Sequence, residues 1–259
     1  MGAVATGHGG PTAPLAVTEH GPLDGPLVVL VHGAMDRARS FRRAVERLTD
    51  LHLVTYDRRG YGGSVAAGPP TGLSQHVDDL IAVLDGRRAA VVAHSFGSHI
   101  GVLASMQRPD LVACLGLWEP PMPWMDFWPE APKRSVERIV SAGDPASVGE
   151  RGARTILGED AWAKLSDESR ALRRAEGEAL VLDMAAELEP LYDWADVRVP
   201  CLIAYGAETW PWTLDAARRV AGMMACDTFV VDGATHLGHV THPDAFADFV
   251  RRAAALAVP

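Results

Sequence analysis

Short apolar runs alternate with helix-like patterns along most of this chain. Leu27–Val31 (LVVLV) is apolar throughout, as expected for a strand buried on both faces. Similar runs predict further strands at residues 53–56, 89–93, 112–118, 200–205 and 228–231. Apolar residues at helical spacing predict helices between them, at residues 77–84, 96–107, 213–224 and 243–256. Repeated strand–helix units indicate an α/β fold, with a mostly parallel twisted sheet and helices on both faces.

One long segment departs from this alternation. Residues 119–197 begin with a proline-rich stretch, EPPMPWMDFWP, and continue with charged helical patterns and no clear strand. Strands are predicted on both sides of the segment, so we interpret it as a helical lid inserted between two strands. The remaining residues 15–118 and 198–259 form the predicted core, and residues 1–14 a disordered leader.

Composition narrows the range of partners. The 259 residues include 24 Lys and Arg against 33 Asp and Glu, a net charge of −9, which disfavours nucleic-acid binding. No apolar stretch reaches the roughly 20 residues needed to span a membrane. The three cysteines form no C-x-x-C pair, which favours a cytoplasmic location. We expect a small apolar molecule as the binding partner, no cofactor, and a monomer or homodimer.

A serine stands at the junction of a predicted strand and a predicted helix. It lies in the segment Ala93-His94-Ser95-Phe96-Gly97. A serine on such a tight turn projects its hydroxyl above the carboxyl edge of the sheet, and its neighbours must be small. A plain serine at the start of a helix would show the same letters, so the segment needs support from elsewhere in the chain.

Two other loops supply that support. His32-Gly33-Ala34 follows the LVVLV strand, where the backbone N–H of Ala34 can act with that of Phe96 as an oxyanion hole. Gly233-Ala234-Thr235-His236 follows the last strand, which places His236 at the same sheet edge as Ser95. A histidine there can act as a general base.

Taken together, the sequence resembles the α/β-hydrolase fold superfamily. The resemblance rests on LVVLVHGA, VTYDRRGYGGS, VVAHSFGSHIGVLASMQRPD, LGLWEPP and DGATHLGHVTHPDAF, and it spans nearly the whole chain apart from the leader and lid. It implies that Ser95 is the nucleophile, His236 the base, and Ala34 and Phe96 the oxyanion donors. Ala93 replaces the first glycine of the usual G-x-S-x-G pattern.

The resemblance is less clear about the acid that orients the histidine. The superfamily usually places it three residues after the glycine that is Gly206 here, but that position is Thr209. Two carboxylates can replace it. Glu208 lies on the same loop, and Glu119 ends the previous strand, where some superfamily members, including certain dehalogenases, carry their acid. We favour Glu119 because two prolines fix its backbone and because such triads are defined by geometry.

Several other residues have candidate roles. His32, Met35, Trp124, Trp128, Trp210 and His239 are predicted to line an apolar substrate pocket. His236, His239 and His242 recur every three residues but lack a completing carboxylate or cysteine, so no metal site is predicted. Asp57-Arg58-Arg59-Gly60 is interpreted as a structural turn whose charges are bonded locally.

The predicted function is that of a serine hydrolase acting on a carboxylic ester, lactone or thioester of a hydrophobic or aromatic small molecule. Serine in place of aspartate at position 95 disfavours a dehalogenase or epoxide hydrolase. Two alternatives stay open from the sequence. The same scaffold also supports lyases or cyclases, and a receptor can retain the triad yet turn over little substrate.

Overall fold

The computed structural model describes residues 3–4 and 14–257. Its core is an eight-stranded sheet with the strand order β1-β2-β4-β3-β5-β6-β7-β8. The strands are β1 Ala3–Val4, β2 Leu15–His20, β3 Leu27–Val31, β4 His52–Tyr56, β5 Ala89–His94, β6 Val112–Trp118, β7 Cys201–Gly206 and β8 Asp227–Val231. All pairs from β4 onward in this order are parallel, whereas β1 pairs with β2, and β2 with β4, antiparallel. The predicted α/β fold is confirmed.

Eleven helices belong to the part of the chain that the structure describes. They are α1 Arg42–Val45, α2 Leu73–Leu84, α3 Gly97–Gln107, α4 Glu130–Val140, α5 Pro145–Leu157, α6 Glu159–Ala163, α7 Asp167–Ala175, α8 Gly177–Glu187, α9 Pro211–Met223, α10 Gly238–Thr241 and α11 Pro243–Ala255. Three short 3-10 helices, Ala38–Phe41, Gly62–Ala67 and Trp194–Asp196, complete the set. Among these described residues, no helix is long and apolar enough to cross a membrane.

The central strands are apolar throughout because each of their faces meets a different helical layer. In β3, Val29 and Val31 belong to one buried cluster, which also contains residues of α2, α3 and α9. Val28 and Leu30, on the opposite face, belong to a second cluster with residues of α1 and α11. Successive side chains of a strand point to opposite faces, so no position in β3 is left for a polar residue.

Five helices, α4 to α8, lie between β6 and β7, where the sequence predicts the lid. They share a small apolar cluster of their own, built on Val148, Leu180 and Met184. Ala34 and Met35, from the loop after β3, pack against this cluster. The helical segment therefore lies directly over the loop that carries one predicted oxyanion donor. Its role as a lid stays a prediction.

The amino-terminal edge of the sheet holds two strands that the sequence analysis does not anticipate. β2 pairs with β4 through Val17 and Tyr56, and β1 pairs with β2 through Val4 and Leu15. The prediction of a disordered leader over residues 1–14 omits the strand Ala3–Val4, and most of its remaining residues lie outside the described part of the chain.

Candidate active site

The turn that carries Ser95 lies at the carboxyl end of β5. Ser95 follows the strand directly and has φ +52, in the left-handed region that non-glycine residues rarely adopt. Its N–H donates to the Trp118 carbonyl at 2.9 Å, and its own carbonyl accepts from Ser98 N–H at 2.8 Å. The end of β6 and the first turn of α3 thus hold the strained residue in place.

Two glycines let the neighbouring loop approach this turn. A Cβ atom at Gly97 would lie 2.7 Å from the His32 carbonyl oxygen, which is too close for any side chain. A Cβ atom at Gly33 would lie 2.9 Å from the Ser95 Cβ atom. The loop after β3 is consequently packed against the serine, in agreement with the small residues expected around it.

Ala34 and Phe96 carry the two backbone amides predicted to hold an oxyanion. Phe96 lies immediately before α3, where N–H groups have no partner within the helix. In the part of the chain that the structure describes, neither the Ala34 N–H nor the Phe96 N–H donates to another protein group. Both N–H groups are therefore without a protein acceptor in this structure, and their role as an oxyanion hole stays a prediction.

His236 and Glu119 form a hydrogen-bonded pair at the same edge of the sheet. The Nδ1 atom of His236 lies 2.8 Å from Oε2 of Glu119. Glu119 follows β6 with φ +49 and is 1% exposed. Its Oε1 atom accepts the Gly206 N–H at 2.9 Å, and Oε2 also accepts the Thr209 hydroxyl at 2.8 Å.

Of the two carboxylates considered from the sequence, Glu119 is therefore the one that meets His236. Glu208 is exposed, and in the described structure its side chain makes no hydrogen bond. Thr209 occupies the position where the superfamily usually carries its acid. Its hydroxyl donates a hydrogen bond to Glu119.

The loop that carries His236 is fixed through its backbone. The His236 carbonyl accepts two hydrogen bonds, one from His94 Nε2–H at 3.0 Å and one from Trp118 Nε1–H at 3.1 Å. His94 immediately precedes Ser95, and the His94 and His236 rings lie 4.7 Å apart. Within the described chain, Ser95 Oγ makes no hydrogen bond to the His236 ring. Such catalytic contacts commonly tighten only when substrate binds.

The arrangement of strands, turn and loops can now be compared with known proteins. A family model described as the alpha/beta hydrolase family matches residues 28–249 of this chain. The chain belongs to the alpha/beta hydrolase family. The serine turn after β5 and the histidine loop after β8 lie within the matched residues, whereas β1 and β2 precede them.

Individual relatives of this hydrolase are more distant. It is 27% identical over 225 residues to a putative carbamate hydrolase, RutD, from Rhizobium rhizogenes, covering 79% of this chain and 82% of the relative. An enol-lactonase from Burkholderia xenovorans superposes with a TM-score of 0.70 at 19% identity, covering 92% and 95% of the two chains. A hydrolase from Pseudomonas aeruginosa has a TM-score of 0.70 at 22% identity, covering 92% and 93%.

The residues predicted to line the pocket divide into two groups. Trp210 is 51% exposed, stacks on Trp212, and has its ring 5.5 Å from that of His236. Trp124 packs against His99 and Tyr192, while Trp128 lies against the core. Met35 contacts the helical segment of the hydrolase through Leu180 and its neighbours.

His32 and His239 do not line an open pocket. The His32 ring is fully buried, with Nδ1 2.8 Å from the Gly33 carbonyl and Nε2 accepting the Arg58 N–H at 2.8 Å. Burial, with the nearby Arg58 charge, lowers the pKa of His32 to about 3, so the ring is neutral. Backbone groups occupy both ring nitrogens, so neither is free to bond a ligand in this structure. His239 is also fully buried, among residues described next.

Two histidines and one aspartate cluster next to the loop that carries His236. The Nε2 atom of His239 lies 3.1 Å from Oδ2 of Asp36, and His94 Nδ1 lies 3.9 Å from the same oxygen. Burial and the neighbouring His239 and His236 lower the pKa of His94 well below its usual value. Burial alone would raise the pKa of Asp36, but the His239 hydrogen bond and the nearby histidines hold it below the usual range. His239 thus contacts Asp36 and His94, neither of which belongs to the His236, His239 and His242 spacing in the sequence.

Arg58 joins the hydrolase core to the helical segment. Its guanidinium pairs with Asp183 of α8 at 2.7 Å and donates to the Gly33 carbonyl at 3.0 Å, with both side chains buried. The prediction that the Asp57–Gly60 turn bonds its charges locally is wrong for Arg58, whose partner lies 125 residues away. Burial would raise the pKa of Asp183, but the Arg58 charge and a His76 hydrogen bond outweigh it and hold the pKa below its usual range.

Proposed function

We propose that this hydrolase cleaves a carboxylic ester, lactone or thioester of a hydrophobic or aromatic small molecule through an acyl-enzyme on Ser95. The observation that carries the proposal is the 2.8 Å contact between His236 Nδ1 and Glu119 Oε2. It fixes the tautomer of the ring, because Nδ1 must carry the hydrogen to donate to a carboxylate. Nε2 is then left with its lone pair, as a base needs.

In the proposed reaction, Ser95 Oγ attacks the carbonyl carbon while His236 Nε2 accepts its proton. The N–H groups of Ala34 and Phe96 stabilise the oxyanion that develops, and Glu119 stabilises the imidazolium. The imidazolium then returns its proton to the departing alkoxide or thiolate. A water molecule, activated by the same histidine, attacks the acyl-enzyme and releases the acid and Ser95.

The proposed preference for apolar substrates rests on the residues around the histidine. The half-exposed Trp210 ring lies beside His236 and stacks on Trp212. Aromatic surfaces with few polar groups are typical of sites that bind apolar small molecules.

The names of two relatives support the proposed type of reaction. A putative carbamate hydrolase and an enol-lactonase both cleave a bond next to a carbonyl carbon, according to their names.

A serine-reactive fluorophosphonate probe tests the nucleophile. Intact-mass measurement should find one probe molecule on the wild-type protein and none on Ser95→Ala. Ser98→Ala is the matched control, because Ser98 lies three residues further on in α3 and should leave labelling intact. An unlabelled wild-type protein would contradict the proposal and favour a lyase, a cyclase or a receptor.

A panel of chromogenic esters tests the substrate class. Aromatic and medium-chain esters should be hydrolysed with higher kcat/KM than short polar esters, because only the former can cover the tryptophan surface. Faster turnover of short polar esters would leave the serine mechanism standing and refute the apolar preference.

A further inference from the structure

Three chain segments bring potential metal ligands together behind the His236 loop. Asp36 comes from the loop after β3, His94 is the last residue of β5, and His239 lies in α10. One ligand atom from each residue lies within 4.8 Å of the other two. Two imidazoles and one carboxylate form a ligand set that suits Zn²⁺ and related divalent ions.

The hydrogen bonds of His94 orient this cluster. Nε2 faces the His236 carbonyl, which can only accept, so Nε2 carries the hydrogen. Nδ1 then presents a lone pair. It is buried without a hydrogen-bond partner and faces Oδ2 of Asp36 at 3.9 Å. Asp36 Oδ2 also accepts the Ser40 hydroxyl at 2.9 Å. Two acceptors that face each other in a buried place repel, and a positive charge bound between them would relieve that repulsion.

We propose that Asp36, His94 and His239 bind one divalent transition-metal ion of the Zn²⁺ class. Bond lengths of about 2.0–2.2 Å to such an ion require ligand atoms about 3.3–3.6 Å apart in a tetrahedron. The separations of 3.1 Å and 3.9 Å from Asp36 Oδ2 already bracket that range. The Asp36 side chain is partly exposed, which would let water reach an ion bound there.

If His94 Nδ1 and His239 Nε2 bind the ion, the other nitrogen of each ring must carry the hydrogen. These two N–H groups have different surroundings. His94 donates its Nε2–H to a backbone carbonyl, the outer contact that metal-bound histidines usually make. The hydrogen of His239 must move from Nε2, which now donates to Asp36, to Nδ1. That nitrogen has no hydrogen-bond partner among the described residues, so the change of tautomer breaks no other bond.

Metal binding at this site would restrain the catalytic loop without touching substrate. The ion would tie together the loop after β3, the strand before Ser95 and the helix after His236. His94 also donates a hydrogen bond to the His236 carbonyl. Ion binding would therefore affect the position of the loop that carries His236. This inference concerns binding and stands independently of the proposed ester chemistry.

Titration with Co²⁺ tests the site directly, using the full chain without a histidine tag after treatment with a chelator. Wild-type protein should develop visible absorption typical of four- or five-coordinate Co²⁺, saturating at one equivalent and abolished by Zn²⁺. It should also unfold at a higher temperature with Zn²⁺ than without. Failure to bind one equivalent would overturn the proposal.

Variants assign the ligands. His239→Gln and Asp36→Asn should each weaken Co²⁺ binding at least about a hundredfold, since even outer-shell changes cost 10–100-fold. His242→Gln is the matched control: His242 lies three residues further along, and its Nδ1 contacts the Thr241 hydroxyl. Equal affinity in all three variants, or loss in His242→Gln alone, would refute the assignment.

X-ray absorption of the Zn²⁺-loaded wild-type protein removes any dependence on how the variants fold. The spectrum should contain two imidazole nitrogen ligands together with oxygen ligands. Fewer than two imidazoles would overturn the proposed ligand set.

Discussion

The Thr209 hydroxyl donates to the same Glu119 oxygen that His236 Nδ1 approaches, each at 2.8 Å. Glu119→Gln removes the negative charge next to His236. An amide cannot stabilise the imidazolium as a carboxylate does. We expect kcat to fall by about 10³–10⁴ on a reactive ester, as when the triad acid is neutralised elsewhere. Glu208→Gln is the control and should retain wild-type kcat, and a larger loss there would reverse the assignment of the acid.

Thr209 offers a sharper test of the same arrangement. Its side chain lies within hydrogen-bond distance of the carboxylate that orients His236. In a Glu119→Gln background, Thr209→Asp should restore part of the lost turnover, since it supplies a carboxylate at the superfamily's usual position. Thr209→Asn in that background is the uncharged control. No gain from aspartate over asparagine would show that position 209 cannot reach the ring.

Trp210 should contribute to affinity more than to the chemical step. Its half-exposed ring lies beside His236 and stacks on Trp212. Trp210→Ala should raise KM for aromatic esters several-fold, about the 0.5–1.5 kcal/mol of an aromatic contact. Trp210→Phe should recover most of that affinity. Steady-state kinetics measures both effects. If Trp210→Ala raised KM equally for acetyl and aromatic esters, Trp210 would not contact the aromatic group of the substrate.

The Arg58–Asp183 pair should matter for folding. Both side chains are buried, so Asp183→Asn leaves the Arg58 charge without its counterion. We expect the free energy of unfolding to fall by about 3–5 kcal/mol, measured by urea denaturation. Asp167→Asn in α7, where a fully exposed carboxylate lies 3.5 Å from the Arg170 guanidinium, should change it little. Similar losses in both variants would contradict a special role for the buried pair.

Glu187, at the end of α8, should make stability depend on pH. Burial, followed by the nearby Asp183 charge, raises its pKa from 4.5 to about 8, against the opposing effect of Arg58. His99 also faces it, at 3.8 Å. Between those two pH values the folded chain holds a proton that the unfolded chain has lost. The free energy of unfolding should consequently fall as pH rises from about 4.5 to about 8.

Replacing Glu187 by glutamine removes this titration. The variant should gain stability relative to wild type as the pH increases, on the order of 1–3 kcal/mol by pH 7. Glu178→Gln, an exposed position on the same helix, is the control and should leave the pH profile unchanged. Parallel profiles for wild type and Glu187→Gln in thermal denaturation would contradict the prediction.

Local patterns were sufficient for the strands that form the centre of the sheet. Leu27–Val31 and Val112–Trp118 have the predicted bounds, because a strand buried on both faces is apolar at every position. β2 escaped prediction because its sequence, LAVTEH, becomes polar towards its end, where the burial also decreases. β2 pairs antiparallel with β4 through backbone hydrogen bonds. Such pairing does not require a continuous apolar run in the sequence.

Contacts between distant segments limited what the sequence could reveal about the site. The places of Ser95, His236, Ala34 and Phe96 in the fold follow from turns next to recognisable strands. The partners of Arg58 and His239 do not, because Asp183 lies 125 residues from Arg58 and Asp36 lies 203 residues from His239. Spacing along the chain carries no information about such pairs.

A triad acid at the end of β6 would have a consequence for how the family diversifies. The loop between β7 and α9 would then contribute one hydroxyl and an aromatic surface, and no charge essential to turnover. Residues such as Trp210 and Trp212 could be exchanged, by evolution or in a combinatorial library, while the proton-transfer machinery stays intact. The loop would thus be a natural place to broaden or redirect the range of accepted esters.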